Sequence, residues 1–391
     1  MRPIAAALFL LPCAWAYAQT WTPLPDFPGT ARDDAASFAI GTDIYVGTGM
    51  ETGWGLTTDW WRYRDATGEW EQVNRLPAVP RQYAAGFSVG GTGYLFGGYD
   101  GTDFLNELWA YDPDMDVWLP RAPLPAPGRR ACAAFAFGAY GYIATGLLPG
   151  DAPTDECWRY DPATDTWQAM APVPGPPRQR AAAFVATLPV VAGGSATDDT
   201  AYADGHAYDP GTDTWSPIAP LPAPRFWHRA AAGHLVGGSS SYATEHADTW
   251  RHDPVADQWT AVAPFAGGAR RGGVAQWADH GEGGVLYHGL GFGNGQRHKD
   301  WWMLRTPVGV SETDAPRLRL RPNPAADLLH VDGAGHSGEV PYQVLDMLGR
   351  RVRWGTLGAE RTIALTGLAP GPFVLVLGGG AAPLRVPFIK E

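Results

Sequence analysis

Tyr111-Asp112-Pro113-Asp114-Met115-Asp116-Val117-Trp118 is the stretch on which the fold of this chain turns. An Asp-Pro with a second Asp three residues after the Pro carries the residues of a tight turn, and the flanking Tyr and Trp favour strands. The same pattern returns at Tyr160–Trp167 and Tyr208–Trp215, with looser copies at Tyr63–Trp70 and His252–Trp259. With Trp21 added, the anchor tryptophans stand at 21, 70, 118, 167, 215 and 259, in steps of 49, 48, 49, 48 and 44 residues. A period this regular marks a repeat architecture.

Each period also holds a Leu-Pro or Val-Pro element (Leu24-Pro25, Leu76-Pro77, Leu124-Pro125, Val173-Pro174, Leu221-Pro222). A Pro-Arg region, an Ala-rich apolar run and a glycine pair such as Gly97-Gly98 or Gly193-Gly194 follow. Four short β-rich stretches per period of about 50 residues predict an all-β, six-bladed β-propeller. The glycine pairs are expected to let a neighbouring blade's aromatic approach the backbone. Counting from the Pro-Arg strand to the Trp strand gives blades at about 30–70, 80–118, 128–167, 177–215 and 225–259. Residues 270–304 supply only three strands, so an N-terminal strand near Trp21 is expected to close the last blade and remove an open edge. In this order, Gly-Gly, Tyr-Asp-Pro, Trp and Pro-Arg resemble the kelch repeat over residues 20–306. That resemblance implies the fold and leaves function open, since such propellers include enzymes, glycan binders and protein adaptors.

Composition agrees with this reading. The 391 residues include 18 Trp, 50 Gly and 36 Pro, with 18% charged, which excludes a charged bundle, a coiled coil or a disordered chain. A net charge of -11, with two lysines against 27 arginines, excludes a phosphate-tracking nucleic-acid binder. At the N-terminus, Arg2, the apolar run Ile4–Leu11 and Ala16-Tyr17-Ala18 read as a signal peptide over residues 1–18, so the mature protein is expected to be secreted. No transmembrane span is expected. Cys132 and Cys157, on the first and third strands of one blade, are too far apart to bridge, and two buried thiols are expected.

The repeat, assigned to residues 19–306, breaks at a linker, 307–316. From 317 to 391 the charge turns positive, nine Lys and Arg against six acids, and seven or so short strands predict a small β-sandwich. Four motifs in order resemble the C-terminal type A sorting domain of the type IX secretion system. They are Arg321-Pro322-Asn323-Pro324 with Ala325-Ala326-Asp327-Leu328; Leu345-Asp346-Met347-Leu348-Gly349-Arg350; Leu368-Ala369-Pro370-Gly371-Pro372-Phe373; and Phe388-Ile389-Lys390. The resemblance implies type IX export to the outer-membrane surface of a bacterium, with release or anchoring there. Pro322, Asn323, Pro324, Asp346, Gly349, Arg350, Gly371 and Lys390 are its motif residues.

For a ligand, the expectation is a ring of arginines at the channel mouth: Arg32, Arg81, Arg130, Arg178, Arg225 and Arg271. Glu51, Trp54, Tyr99, Asp100, Asp103, Asp151, Asp155, Asp198, Asp199, Tyr242 and Glu245 stand on loops around it. Trp227 and Tyr83 follow ring arginines although the repeat does not require them. Guanidinium groups beside aromatic faces suit a carboxylate or a sugar; the structural alternative is that the arginines pair with acids of neighbouring blades and fix the register. No catalytic residue is assigned, and no cofactor or metal is expected. Asp112-x-Asp114-x-Asp116 begins like a calcium loop but has Val117 where glycine belongs. His280, His288 and His298 lack ligand spacing and read as solvated loop residues. The leading expectation is a binding protein for a glycan or a protein. The enzymatic alternative is a sugar mutarotase or epimerase of the sialic-acid type, with an arginine on the carboxylate and Glu51 or Asp199 moving a proton.

Overall fold

The computed structural model describes residues 20–196, 200–281, 283–306, 319–321, 325–332, 340–346, 350–358, 360–377 and 384–391. The signal-peptide reading therefore lies outside the described residues. The chain separates into two compact units that divide between Gly309 and Val310.

Six four-stranded antiparallel sheets make up the first unit. Blade 1 runs Ala36–Ile40, Asp43–Gly47, Trp60–Arg64, Glu69–Val73 from the inside out, and blade 2 runs Ala85–Val89, Thr92–Phe96, Leu108–Asp112, Val117–Arg121. Blade 3 holds Ala133–Phe137, Tyr140–Ala144, Cys157–Asp161 and Thr166–Met170; blade 4 holds Ala182–Val185, Pro189–Ala192, Gly205–Asp209 and Thr214–Ile218. Blade 5 comprises Arg229–Ala231, His234–Val236, Thr249–Asp253 and Gln258–Val262. Blade 6 takes Val274–Asp279, Gly284–Gly289 and Trp301–Thr306 and is completed on its outer edge by Trp21–Leu24, paired Trp21 to Leu304 through Leu24 to Trp301. The inner strands contact one another in sequence and the sixth returns to the first, so the ring is closed.

The repeated octapeptide is a clasp between blades. Asp112 Oδ1 accepts the amides of Asp114 and Met115 and forms the turn, while Asp116 sits at φ 52°. Asp116 Oδ1 accepts from the Tyr111 hydroxyl at 2.7 Å and from the Asn74 amide, and Trp118 Nε1 donates to the Asn74 carbonyl at 2.9 Å. Asn74 ends the preceding blade, so each copy holds the chain that arrives from its neighbour. Tyr160, Asp165 and Trp167 hold Ala122 in this way, and Tyr208, Asp213 and Trp215 hold Ala171. Six residues after each anchor Trp, an apolar side chain (Phe27, Leu76, Leu124, Val173, Leu221, Phe265) is buried. In the first copy this position is Phe27, not the Leu24-Pro25 expected.

The glycine pairs serve chiefly a backbone contact, the expected aromatic approach occurring at Gly193, where a Cβ would lie 2.6 Å from the His228 ring of the next blade. The second glycine donates its amide to the carbonyl of the next blade's arginine, as Gly98 does to Arg129 and Gly194 to Arg225. A Cβ on Gly97 would lie 2.7 Å from the Arg129 carbonyl, so backbone is what approaches there. A further aromatic approach falls on a different glycine at the start of the second strand: Cβ atoms at Gly93 and Gly141 would strike the rings of Phe38 and Phe87 in the preceding blade.

In the second unit, a three-stranded sheet (Arg319–Arg321, Leu328–Asp332, Thr362–Ala364) and a four-stranded sheet (Arg351–Leu357, Val340–Asp346, Gly371–Leu377, Leu384–Lys390) share one apolar core, with Leu329, Val331, Val344, Leu375 and Phe388 in it. Asp346 accepts the Arg350 amide and Nε at 2.9 and 2.7 Å, which closes the hairpin. Gly371 pairs with Lys390, whose Nζ lies 3.6 Å from Asp327. Pro322, Asn323, Pro324 and Gly349 lie outside the described residues.

Candidate ligand site at the mouth of the channel

Four of the six expected ring arginines are not at the mouth. Arg32, Arg81, Arg178 and Arg225 are fully buried, and each forms an ion pair within its own blade, with Asp59, Glu107, Asp204 and Asp248 respectively. Their Nη1 atoms also donate to the carbonyls of Thr48, Gly97, Gly193 and Gly237. These guanidiniums fasten the loop before the first strand to the end of the second strand. The structural alternative therefore holds for them, with the acid coming from the same blade rather than a neighbour. In blades 3 and 6 this position belongs to Arg129 and Arg270, paired with Glu156 and Asp300, and not to Arg130 and Arg271.

Arg130 and Arg271, one residue further on, do reach the mouth. Two residues beyond the buried arginine each blade has a left-handed residue: Asp34, Tyr83, Ala131, Arg180, Trp227 and Gly272, with φ between 54° and 63°. Their amides form a closed circuit. Asp34 donates to the Gly272 carbonyl at 2.8 Å, Tyr83 to Asp34 at 3.1 Å, Ala131 to Tyr83 and Arg180 to Ala131 at 2.9 Å, Trp227 to Arg180 and Gly272 to Trp227 at 3.1 Å. This left-handed turn sends five side chains toward the axis, and non-glycine residues held there by a surrounding scaffold concentrate at functional sites. At Gly272 a Cβ would lie 2.8 Å from Asp34 Oδ1, so a side chain there would have to displace the Asp34 carboxylate.

The circuit surrounds an axial cavity of about 110 Å³ lined by Asp34, Tyr83, Arg180, Trp227, Arg229 and Cys132, among others. Asp34 Oδ1 is buried without a hydrogen-bond partner among the described residues, 3.7 Å from Arg229 Nη2. Desolvation, assisted by the neighbouring Asp33 carboxylate, raises the Asp34 carboxyl to about 7 against the pull of Arg229 and Arg180. Burial lowers the Arg229 guanidinium and raises the Tyr83 hydroxyl. Arg180 lies 3.9 Å from the Trp227 ring centre, a close cation–π contact. A second space of about 290 Å³, walled by Phe87, Phe135 and Phe184, shares the lining residues Gly86, Ala134, Ala183, Ala230 and Gln276 with this cavity.

Outside the cavity, arginines rest on aromatic rings. Arg271 lies over Trp227, Tyr242 and Phe292 and pairs with Glu245 at 2.7 Å. Arg297 lies over Trp54, which is 75% exposed, and bonds Asp33 at 2.6 Å. Arg130 lies over Tyr83, Tyr99 and Phe104. Trp54, Tyr99 and Trp227 are thus brought to one face. Glu51 pairs with Arg32 at 2.9 Å, and Asp100 caps its own loop at Thr102 and Asp103. Asp198 and Asp199 lie outside the described residues. Asp34, Arg180 and Arg229 are the cavity residues that the Pro-Arg reading misses; for Arg229 the signal is a charged residue at a station where the other blades have Ala36, Ala85, Ala133, Ala182 and Val274.

His288 is buried against Trp21 and Phe265, not solvated, and burial lowers it to about 3. His280 faces Asp65, and His298 bonds the Gly293 carbonyl. Both Cys132 and Cys157 are free thiols; Cys132, on the cavity wall, is pushed up to about 12 by burial. Among the described residues no group of His, Cys, Asp and Glu could hold a metal ion, and no helix is long and apolar enough to cross a membrane.

Comparison with solved structures gives a protein titled "Structure of YjhT", 16% identical, with a TM-score of 0.61, over 72% of this chain and 96% of that one. The fold is a kelch-type β-propeller. Residues 15–188 match the KLHDC2/KLHL20/DRC7 Kelch-repeats domain. No curated protein matches the chain. The kelch propeller carries Asp34, Tyr83, Arg180 and Trp227 at its axial cavity.

Proposed function

We propose that this kelch propeller is a binding protein whose central mouth captures a carboxylated glycan. The observation that carries the reading is the convergence of Arg180, Arg229, Asp34, Tyr83 and Trp227 on one axial cavity. At about 110 Å³ the cavity is smaller than the roughly 150 Å³ that accommodates a benzene ring, so it suits a carboxylate and not a whole pyranose. Two guanidiniums favour that group, a protonated Asp34 can donate to it, and the surrounding rings offer faces for the sugar. Titration calorimetry of the full chain against galacturonate, N-acetylneuraminate and glucose tests the reading. The acids are expected to bind and glucose not, and Arg229→Gln is expected to weaken the acids about tenfold. Equal affinity for neutral and acidic sugars, or none for either acid, overturns it.

One observation favours a second reading, a sugar mutarotase or epimerase of the sialic-acid type. A carboxyl raised to about 7 beside an arginine is poised to move a proton at neutral pH. Catalysed anomerisation that disappears in Asp34→Asn would support it over simple capture.

We also propose, on the ordered motifs of the second unit, type IX export of a secreted or surface-exposed protein. Loss of residues 317–391 is expected to leave the propeller in the periplasm of a producing cell; unchanged surface delivery would refute this.

A further inference from the structure

Resting on the carboxylated-glycan reading, we infer that the mouth holds a second anion subsite, centred on Arg130, and that its ligand is an oligosaccharide with at least two acidic residues. Among the mouth arginines, Arg229, Arg271 and Arg297 each have an acid: Asp34, Glu245 and Asp33. Arg130 has none among the described residues. Its guanidinium lies 5.0, 5.2 and 5.3 Å from the ring centres of Tyr83, Tyr99 and Phe104, and its Nε is buried without a hydrogen-bond partner among the described residues. Its backbone is fixed by reciprocal hydrogen bonds with Leu147 at 3.1 and 2.9 Å, so the loop delivers the side chain from a rigid base. A partly desolvated guanidinium on aromatic faces, with no carboxylate of its own, gains most from an anion supplied from outside.

The subsite shares Tyr83 with the axial cavity. Arg130 and Arg180 flank the same ring, with guanidinium carbons 5.0 and 6.0 Å from the Tyr83 centre, and are therefore at most 11.0 Å apart. A chain with one carboxylate in the cavity and its sugar ring near Tyr83 presents its next acidic residue to Arg130. A monosaccharide acid fills the cavity and leaves Arg130 unused.

The test compares galacturonate with trigalacturonate by calorimetry on the full chain and on Arg130→Gln. Wild type is expected to bind the trimer more than tenfold tighter than the monomer, beyond the roughly threefold statistical gain of three equivalent residues. Arg130→Gln is expected to remove that excess, leave monomer affinity unchanged, and reduce the salt dependence of trimer binding. Arg130→Lys, which keeps charge but loses the planar fork, is expected to fall between them. If the monomer binds but the trimer gains nothing beyond statistics, or if Arg130→Gln retains the gain, the subsite is refuted while the cavity reading stands. If neither sugar binds, both fall together.

Discussion

Asp34 is the residue on which the mouth's behaviour with pH depends. An aspartate in the unfolded chain titrates near 3.8 and in the folded propeller near 7, so between these values the native state holds a proton that the unfolded chain has released. Stability from this group is therefore greatest below the lower value and declines as pH rises to 7. Asp34→Asn removes the cost of ionisation, by up to about 4 kcal/mol at complete ionisation. The melting temperature of the variant relative to wild type is expected to rise between pH 5 and pH 8; a gap that does not widen rules out the ionisation cost. Binding of a carboxylated sugar should weaken over the same range, because an ionised Asp34 repels it, and Asp34→Asn should flatten that loss.

At the scale of the element, the deciding feature is the loop that leads into each first strand. Its buried arginine stands eleven residues after the anchor Trp in five blades, at 32, 81, 129, 178 and 270, and ten residues after it at 225. Spacing from the Trp thus distinguishes Arg129 and Arg270 from their neighbours, whereas the Pro-Arg pair does not, because blades 3 and 6 carry Arg-Arg. The octapeptide, the four strands per blade and the closing strand at Trp21 were legible in the sequence because turn chemistry and spacing encode them locally. The axial cavity was not, because it assembles one residue from each blade and depends on a left-handed backbone that Tyr, Arg and Trp do not advertise. For the buried class, Arg178→Met leaves Asp204 and the carbonyls of Pro174, Pro176 and Gly193 without their donor. Since Asp204 is 39% exposed, the expected loss is about 2–3 kcal/mol, below the roughly 3–5 of a fully enclosed pair. Chemical denaturation measures it, and a loss under 1 kcal/mol would argue that the arginine does not fasten the loop.

For the whole molecule, the ring closes through material from opposite ends of the repeat region. Trp21–Leu24 completes blade 6, Trp21 Nε1 donates to the Ala263 carbonyl at 3.1 Å, and the Phe27 amide donates to Lys299. Deleting residues 20–28 exposes the edge at Trp301–Thr306 and removes two buried aromatic side chains, so the propeller is expected to melt cooperatively at a markedly lower temperature and to aggregate. A normal melting temperature after that deletion would show that the seal is dispensable.

The amide circuit around the axis is built from main chain alone. Because no side chain takes part in those six bonds, the groups facing inward can be exchanged one wedge at a time without disturbing how the wedges meet. Aspartate, tyrosine, alanine, arginine, tryptophan and glycine already occupy equivalent stations in this single molecule. New ligand preferences can therefore arise by point changes at those stations, on a frame that does not have to be rebuilt.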